Sequence, residues 1–250
     1  MAATDRDLES NELLFIEQHR SAVWQLDGGR LYISSNREVK TWNFLGAIAT
    51  SDPATLIENA RDAFAAWEMT PCVKVTPFTK PGVEDLLVRD EWREDVRLTH
   101  MIRPMTEVPA NDRVTIRTCA SDKDIREFSE VQSAGFGAPD WVSWVHPINR
   151  MNLARPNQRF YIADFDGHSA GVLLMLLSGE VAGIYAVATL EAYRGQSIAL
   201  TLVAHALDDA KNLGVTAFCL NTLSGGPAQV AFKRMGFENV FDSVFYTKES

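Results

Sequence analysis

The chain has 250 residues, which suits one large domain or two small ones. Apolar residues make up 46% and charged residues 23%, so a sizeable core can form. The formal net charge of −9 argues against a broad nucleic-acid footprint. It suits cationic acceptors such as amines, or plain solubility.

The first ten residues are polar and acidic, with no signal-peptide apolar run. No stretch is long and apolar enough to span a bilayer, and the longest apolar run, 170–177, has strand length. Cys72, Cys119 and Cys219 are widely spaced, odd in number and without metal-ligand spacing. They are expected to be reduced core residues of a cytoplasmic protein that binds no metal.

In chain order, 42–48 reads as a strand. Asp52-Pro53 opens a helix through Leu56, Ala60, Phe64 and Trp67. A strand at 73–75, a short helix at 81–88 and a strand at 96–102 follow. The segment 103–112 has two prolines and no helical period, so it reads as a linker. A strand at 113–117 leads to a helix capped by Ser121 and carrying Ile125, Phe128 and Val131. Gly135 to Pro139 break it, and Asp140 is expected to cap a second helix bearing Trp141, Trp144 and Pro147. Strands at 160–165 and 171–177 flank the Asp166-Gly167 turn. A strand at 181–187, a helix at 197–212 and a strand at 215–220 come next. A short helix at 227–235 stops at Gly236, and 240–247 is a closing strand.

The order strand, long helix, strand, short helix, strand thus occurs at 42–102 and again at 181–247. We read this as an internal structural repeat, with a first half over 1–104 and a second over 113–250. The fold class is α/β with a mixed sheet.

The segment with most chemical content is 185–199. A strand ends, a short connection follows, and a turn with Arg194, Gly195, Gln196 and Ser197 enters a helix at Ile198 and Ala199. The N–H groups of a helix N-terminus lack intrahelical partners, and with the helix dipole they favour an anion such as a pyrophosphate. Gly195, Ser197 and Ala199 are small enough for close approach, and Arg194 adds a fixed charge. A plain strand-to-helix turn with an incidental arginine is the competing reading.

The run 186–199 and the downstream run Phe232-Lys233-Arg234-Met235-Gly236-Phe237 together resemble the GNAT superfamily of acyl-CoA-dependent N-acyltransferases. Arg194, Ser197 and Ala199 fall on the superfamily's Arg/Gln-x-x-Gly-x-Gly/Ala pattern, with Ser197 in place of its first glycine. Gly236 and Phe237 match the downstream pattern, and Phe232 stands at its tyrosine position. The likeness covers about 113–247. The first half resembles the degenerate N-terminal half of tandem GNAT proteins. It runs from its strand into Ser51-Asp52-Pro53 with no Arg-Gly loop, so no coenzyme A site is expected there.

The resemblance implies a GNAT fold with splayed central strands. It further implies an acetyl group passed directly from acetyl-CoA to a primary amine of a small molecule. The cofactor's arm would pair with the strand near Val187 and Thr189, and the N–H near Ala188 would polarise the carbonyl. The pyrophosphate would lie on residues 194–199, with Phe232 beside the cofactor. A phenylalanine cannot protonate the leaving thiolate, so Ser224 and Tyr185 are the substitute candidates. Glu180 leads the candidates for the base, ahead of His146 and Asp164. Phe136, Trp141 and Trp144, with Met151, are candidates for lining the acceptor pocket, or for packing. A non-catalytic acyl-CoA-binding module is the alternative. Neither nucleic acid nor a membrane is an expected partner, and the oligomeric state, a homodimer included, stays open.

Overall fold

The computed structural model describes residues 4–19, 21–36 and 39–248. In chain order the elements are α1 (Asp5–His19), β1 (Ser21–Leu26), β2 (Gly29–Ser34), β3 (Phe44–Gly46), α2 (Pro53–Ala66) and β4 (Cys72–Val75). Then come α3 (Val83–Arg89), β5 (Arg93–Arg103), β6 (Val114–Thr118), α4 (Asp122–Gly135), α5 (Val142–Asn152), β7 (Gln158–Phe165) and β8 (His168–Ser178). The chain closes with β9 (Val181–Thr189), α6 (Ile198–Asn212), β10 (Ala217–Leu223), α7 (Pro227–Arg234) and β11 (Glu238–Thr247).

The chain forms two compact units, and no single cut separates them. One unit holds residues 1–12, 102–220 and 232–238, and the other holds 13–101, 221–231 and 239–250.

In the first unit the strand order is β6-β7-β8-β9-β10. The β6–β7, β7–β8 and β8–β9 ladders are antiparallel, and β9–β10 is parallel with α6 as the crossover. Strand β8 is buried from Ala170 to Leu176, which explains its unbroken apolar run. Helix α4 begins with a capping box: Asp124 N–H donates to Ser121 Oγ, and Ser121 N–H donates to the Asp124 carboxylate. Its apolar face carries Ile125 and Phe128 into a core with Phe160.

In the second unit the order is β1-β2-β3-β4-β11-β5. The last strand of the chain completes this sheet, pairing antiparallel with β4 from Val244–Val75 to Thr247–Cys72. The core includes Leu31, Leu45, Phe64, Val73, Trp92 and Val244.

Most expected elements are present within a few residues. Helix α1 and the β1–β2 hairpin are additional to them. The Asp140 cap is absent: Pro139–Trp141 forms a 3-10 turn, and α5 starts at Val142 with no side-chain cap. Asp140 instead offers its carbonyl to Ser143 Oγ. All three cysteines are free and buried.

Candidate functional site

The site lies in the first unit, where β9 leaves β10. The parallel ladder pairs Ala217 with Val181, Phe218 with Ala182 and Cys219 with Gly183, and there it ends. Strand β9 runs on to Thr189 still paired to β8. Its other edge beyond Gly183 therefore presents backbone N–H and C=O groups without a ladder.

A bulge sits in that unladdered stretch. Tyr185 faces Leu174 and Ala188 faces Val172, so Ala186 and Val187 together oppose Leu173. Ala186 has φ +52°, a left-handed conformation costing a side-chain-bearing residue about 1 kcal/mol. Ala186, Val187 and Thr189 are half-buried, whereas Ala188 is buried against α4. A Cβ at Gly135 would stand 2.9 Å from Ala188 Cβ, so glycine there lets α4 reach the strand.

After Thr189 a 3-10 turn over Glu191–Tyr193 leads into the loop Arg194 to Ser197, all four residues of which are exposed. Gly195 has φ +79° and Ser197 has φ +58°. Two left-handed residues in so short a loop turn the backbone sharply into α6. Ser197 is the N-cap, but its hydroxyl makes no capping bond. The first-turn N–H groups of α6 thus have no side-chain acceptor from the cap. Ile198 anchors the start of the helix: it is buried, and a Cβ at Gly171 would meet its Cγ2 at 2.7 Å.

Two contacts brace the loop. Arg194 Nη2 donates to the Gly135 carbonyl at 3.2 Å, joining the loop to the C-terminus of α4. Asn111 Nδ2 donates to the Gln196 carbonyl at 2.9 Å, and Asn111 N–H donates to Thr201 Oγ1 at 3.0 Å. Asn111 belongs to the stretch expected to be a linker. Only tertiary structure places it on the loop.

The aromatic candidates continue from the same corner. Phe136 follows Gly135 and is exposed. Its ring centroid is 6.5 Å from Trp141, and Trp141 is 5.9 Å from Trp144. Both tryptophans are half-buried, whereas Met151 is largely exposed. Phe136, Trp141 and Trp144 therefore form a partly open aromatic row.

The acid and base candidates lie in different settings. Tyr185 is buried, and its hydroxyl donates to Asn11 Oδ1 at 2.7 Å. Burial first, then the nearby charges of Cys219 and Glu12, push its ionisation well above the usual phenol range. Phe232 packs edge-on against Phe237, with centroids 5.7 Å apart. Gly236 makes room for Arg103, whose guanidinium reaches the Met235 carbonyl.

Ser224 belongs to the second unit. Its hydroxyl lies 2.7 Å from Thr99 Oγ1, which donates to Asp242 Oδ1 at 2.8 Å. A hydroxyl has one proton, so Ser224 must be the donor to Thr99.

Glu180 is exposed in the turn before β9, and its carbonyl accepts from Thr216 N–H at 2.9 Å. That turn is at the closed end of the ladder, a strand's length from the bulge. Asp164 holds Arg117 together with Asp124 and Glu127. His146 sits in α5 directly before Pro147. No group of three or more His, Cys, Asp or Glu able to hold a metal occurs among the described residues. None of their helices is long and apolar enough to cross a membrane.

Comparison with known proteins bears on the same segment. The profile of the Acetyltransferase (GNAT) family matches residues 125–237, from α4 through the loop to Phe237. The chain carries a GNAT acetyltransferase domain. Its class of chemistry is acyl transfer. A candidate [ribosomal protein bS18]-alanine N-acetyltransferase of Bacillus subtilis (strain 168) is 29% identical over 119 residues, covering 46% of this chain and 76% of that protein. A GCN5-related N-acetyltransferase from Kribbella flavida superposes with a TM-score of 0.74 at 17% identity, over 100% of this chain and 97% of the other. A tandem GNAT protein from the clavulanic acid biosynthesis pathway gives 0.66 at 16% identity, over 100% and 97%. At such identities the two superpositions speak for the fold, which both share along the whole chain.

Proposed function

We propose that this GNAT domain transfers an acetyl group from acetyl-CoA to a primary amine of a small molecule by direct attack. The observation that carries the reading is the juxtaposition at the end of β9: an unladdered, bulged strand edge followed at once by an uncapped helix N-terminus. The backbone N–H groups from Gly195 through Ala199, with Arg194, suit the pyrophosphate. The free edge at Val187, Ala188 and Thr189 suits an amide-bearing arm, and an N–H there can polarise a thioester carbonyl. Acetyl-CoA supplies the activated acyl group. The row Phe136, Trp141 and Trp144 gives the acceptor an apolar or aromatic body. The bacterial relative's name makes an alanine its acceptor, which fits an amine nucleophile. The fold is read as tandem, with acyl transfer confined to the second half.

One set of observations favours the alternative, an acyl-CoA-binding module. Tyr185 is sealed, Phe232 has no hydroxyl, and the Ser224 proton is committed to Thr99. A thiolate with a conjugate-acid pKa near about 8.5 can still leave without a dedicated acid. Release of free thiol from acetyl-CoA across a panel of primary amines separates the two. Turnover on aromatic-tailed amines is expected. Saturable acetyl-CoA binding with no thiol release on any amine would establish the module instead.

A further inference from the structure

The segment that joins the two halves of the sequence ends in a residue that grips the loop before α6. Asn111 is half-buried, and it is itself fixed to the start of β6. Its Oδ1 accepts from Arg113 N–H at 3.0 Å, and its carbonyl accepts from Val114 N–H at 2.9 Å. From that anchor it makes two bonds to the α6 turn. Its Nδ2 donates to the Gln196 carbonyl at 2.9 Å, and its N–H donates to Thr201 Oγ1 at 3.0 Å. The Thr201 hydroxyl has one proton, which it gives to the Ser197 carbonyl at 3.0 Å. The same carbonyl accepts from Thr201 N–H at 2.9 Å. Asn111 therefore holds the Gln196 carbonyl directly and the Ser197 carbonyl through Thr201.

What this does to the loop follows from peptide planarity. In a trans peptide the C=O and N–H of one unit point in opposite directions. With the Gln196 carbonyl drawn to Asn111, the Ser197 N–H points away from Asn111. With the Ser197 carbonyl drawn into the first turn of α6, the Ile198 N–H points back out of the helix end. Among the described residues, neither N–H has an acceptor in the protein. The loop needs such a hold. Ser197 is kept at φ +58°, which costs about 1 kcal/mol, and Gly195 at φ +79° gives the chain freedom to relax. Rotation of the Gln196–Ser197 plane would put the Gln196 carbonyl oxygen where the Ser197 N–H had been. An oxygen there repels an anion that the N–H attracts.

We propose that Asn111 is the positioning residue of the pyrophosphate site, setting the Gln196–Ser197 peptide plane so that its N–H, and not its carbonyl, meets the anion. The proposal rests on the reading of this loop as the acyl-CoA site. It makes the segment between the two halves part of the cofactor site, acting through the backbone of the loop.

The test uses the full chain and two variants. N111A removes the Nδ2 donor and the Oδ1 acceptor together. N111D keeps an acceptor for Arg113 N–H but sets a carboxylate against the Gln196 carbonyl. By calorimetry, N111A is expected to weaken acetyl-CoA binding about 3- to 10-fold, the range of one hydrogen bond. N111D should weaken it further, by about 10-fold or more, with the fold of both retained by circular dichroism. Undiminished affinity in N111A overturns the proposal. So does parent-like affinity in N111D, which would mean that only the turn at Arg113 matters. With phenethylamine as acceptor, thiol release is followed with a dithiodipyridine reagent, to which the three buried cysteines are poorly accessible. The KM for acetyl-CoA should rise in N111A while kcat and the amine KM stay within about twofold, because uniform binding alone is lost. A kcat that falls as far as the affinity overturns the proposal, as the mark of a general structural loss. A parent protein that binds no acetyl-CoA sinks the site reading and the proposal together. A parent that binds it but releases no thiol sinks only the transfer reading, and calorimetry of the variants still decides the role of Asn111.

Discussion

The chain makes the same turn twice and finishes it in opposite ways. In the second unit β3 leads to α2, which crosses over to the parallel strand β4. In the first unit β9 leads to α6, which crosses over to the parallel strand β10. Helix α2 closes its own N-terminus. Asp52 accepts from Thr55 N–H at 3.2 Å, and Pro53 removes a further N–H from the first turn. A carboxylate of the chain already occupies the place where an anion would bind. Helix α6 has a cap that makes no bond, two left-handed residues before it and an arginine at the loop's start. One helix N-terminus is capped by a side chain of the chain, and the other has no side-chain cap.

Moving the features of one turn into the other tests this contrast. S197D would give α6 the carboxylate that α2 has. Two like charges about 4 Å apart cost roughly 4 kcal/mol at a surface-like dielectric. Acetyl-CoA affinity should fall by about 100-fold or more by calorimetry, with the fold retained by circular dichroism. R194A removes the fixed charge and its charge-assisted bonds. A weakening of about 10-fold or more is expected, and unchanged affinity would mean that the pyrophosphate does not use this loop.

D52A should leave acetyl-CoA affinity unchanged and lower the melting temperature by a few degrees through the lost cap. Hydrogen bonds from Thr55 hold the Asp52 carboxyl below its usual range. Its contribution is therefore complete above the unfolded carboxylate range and is lost as pH falls through the lower folded value. The stability gap between D52A and the parent should close on acidification. The smallest effect belongs to S197G. It relieves a left-handed serine worth about 1 kcal/mol but raises the freedom of the unfolded chain by a similar amount. A melting shift of no more than a degree or two is expected. A large fall would show that the serine hydroxyl holds the loop.

The contrast between the two turns is legible in the sequence, because it depends on local residues: Ser51-Asp52-Pro53 in one, Arg194-Gly195-Gln196-Ser197 in the other. Helices α2, α4 and α6 are legible for the same reason, having strong apolar periods and readable starts. Helix α1 is not, because its sequence is acidic and only weakly amphipathic. The β1–β2 hairpin turns on Asp27-Gly28, with Gly28 at φ +81°, and that pair is the signal that locates it.

Long-range placement is out of reach of local patterns. Nothing in residues 238–247 indicates that they pair with β4, and nothing in Asn111 indicates a bond to Gln196 across the fold. The same limit hides Asn11, which reaches Tyr185 only because Gly183 leaves room for it. Aromatic spacing suggests the row at Phe136, Trp141 and Trp144, but its partial openness is a property of the folded chain.

The account centres on a single acyl-CoA site at the α6 turn, and titration calorimetry of the parent, D52A and S197D with acetyl-CoA tests it most directly. The prediction is one site per chain in the parent and in D52A, and no measurable site in S197D. Two sites per chain, or undiminished binding in S197D, would contradict it.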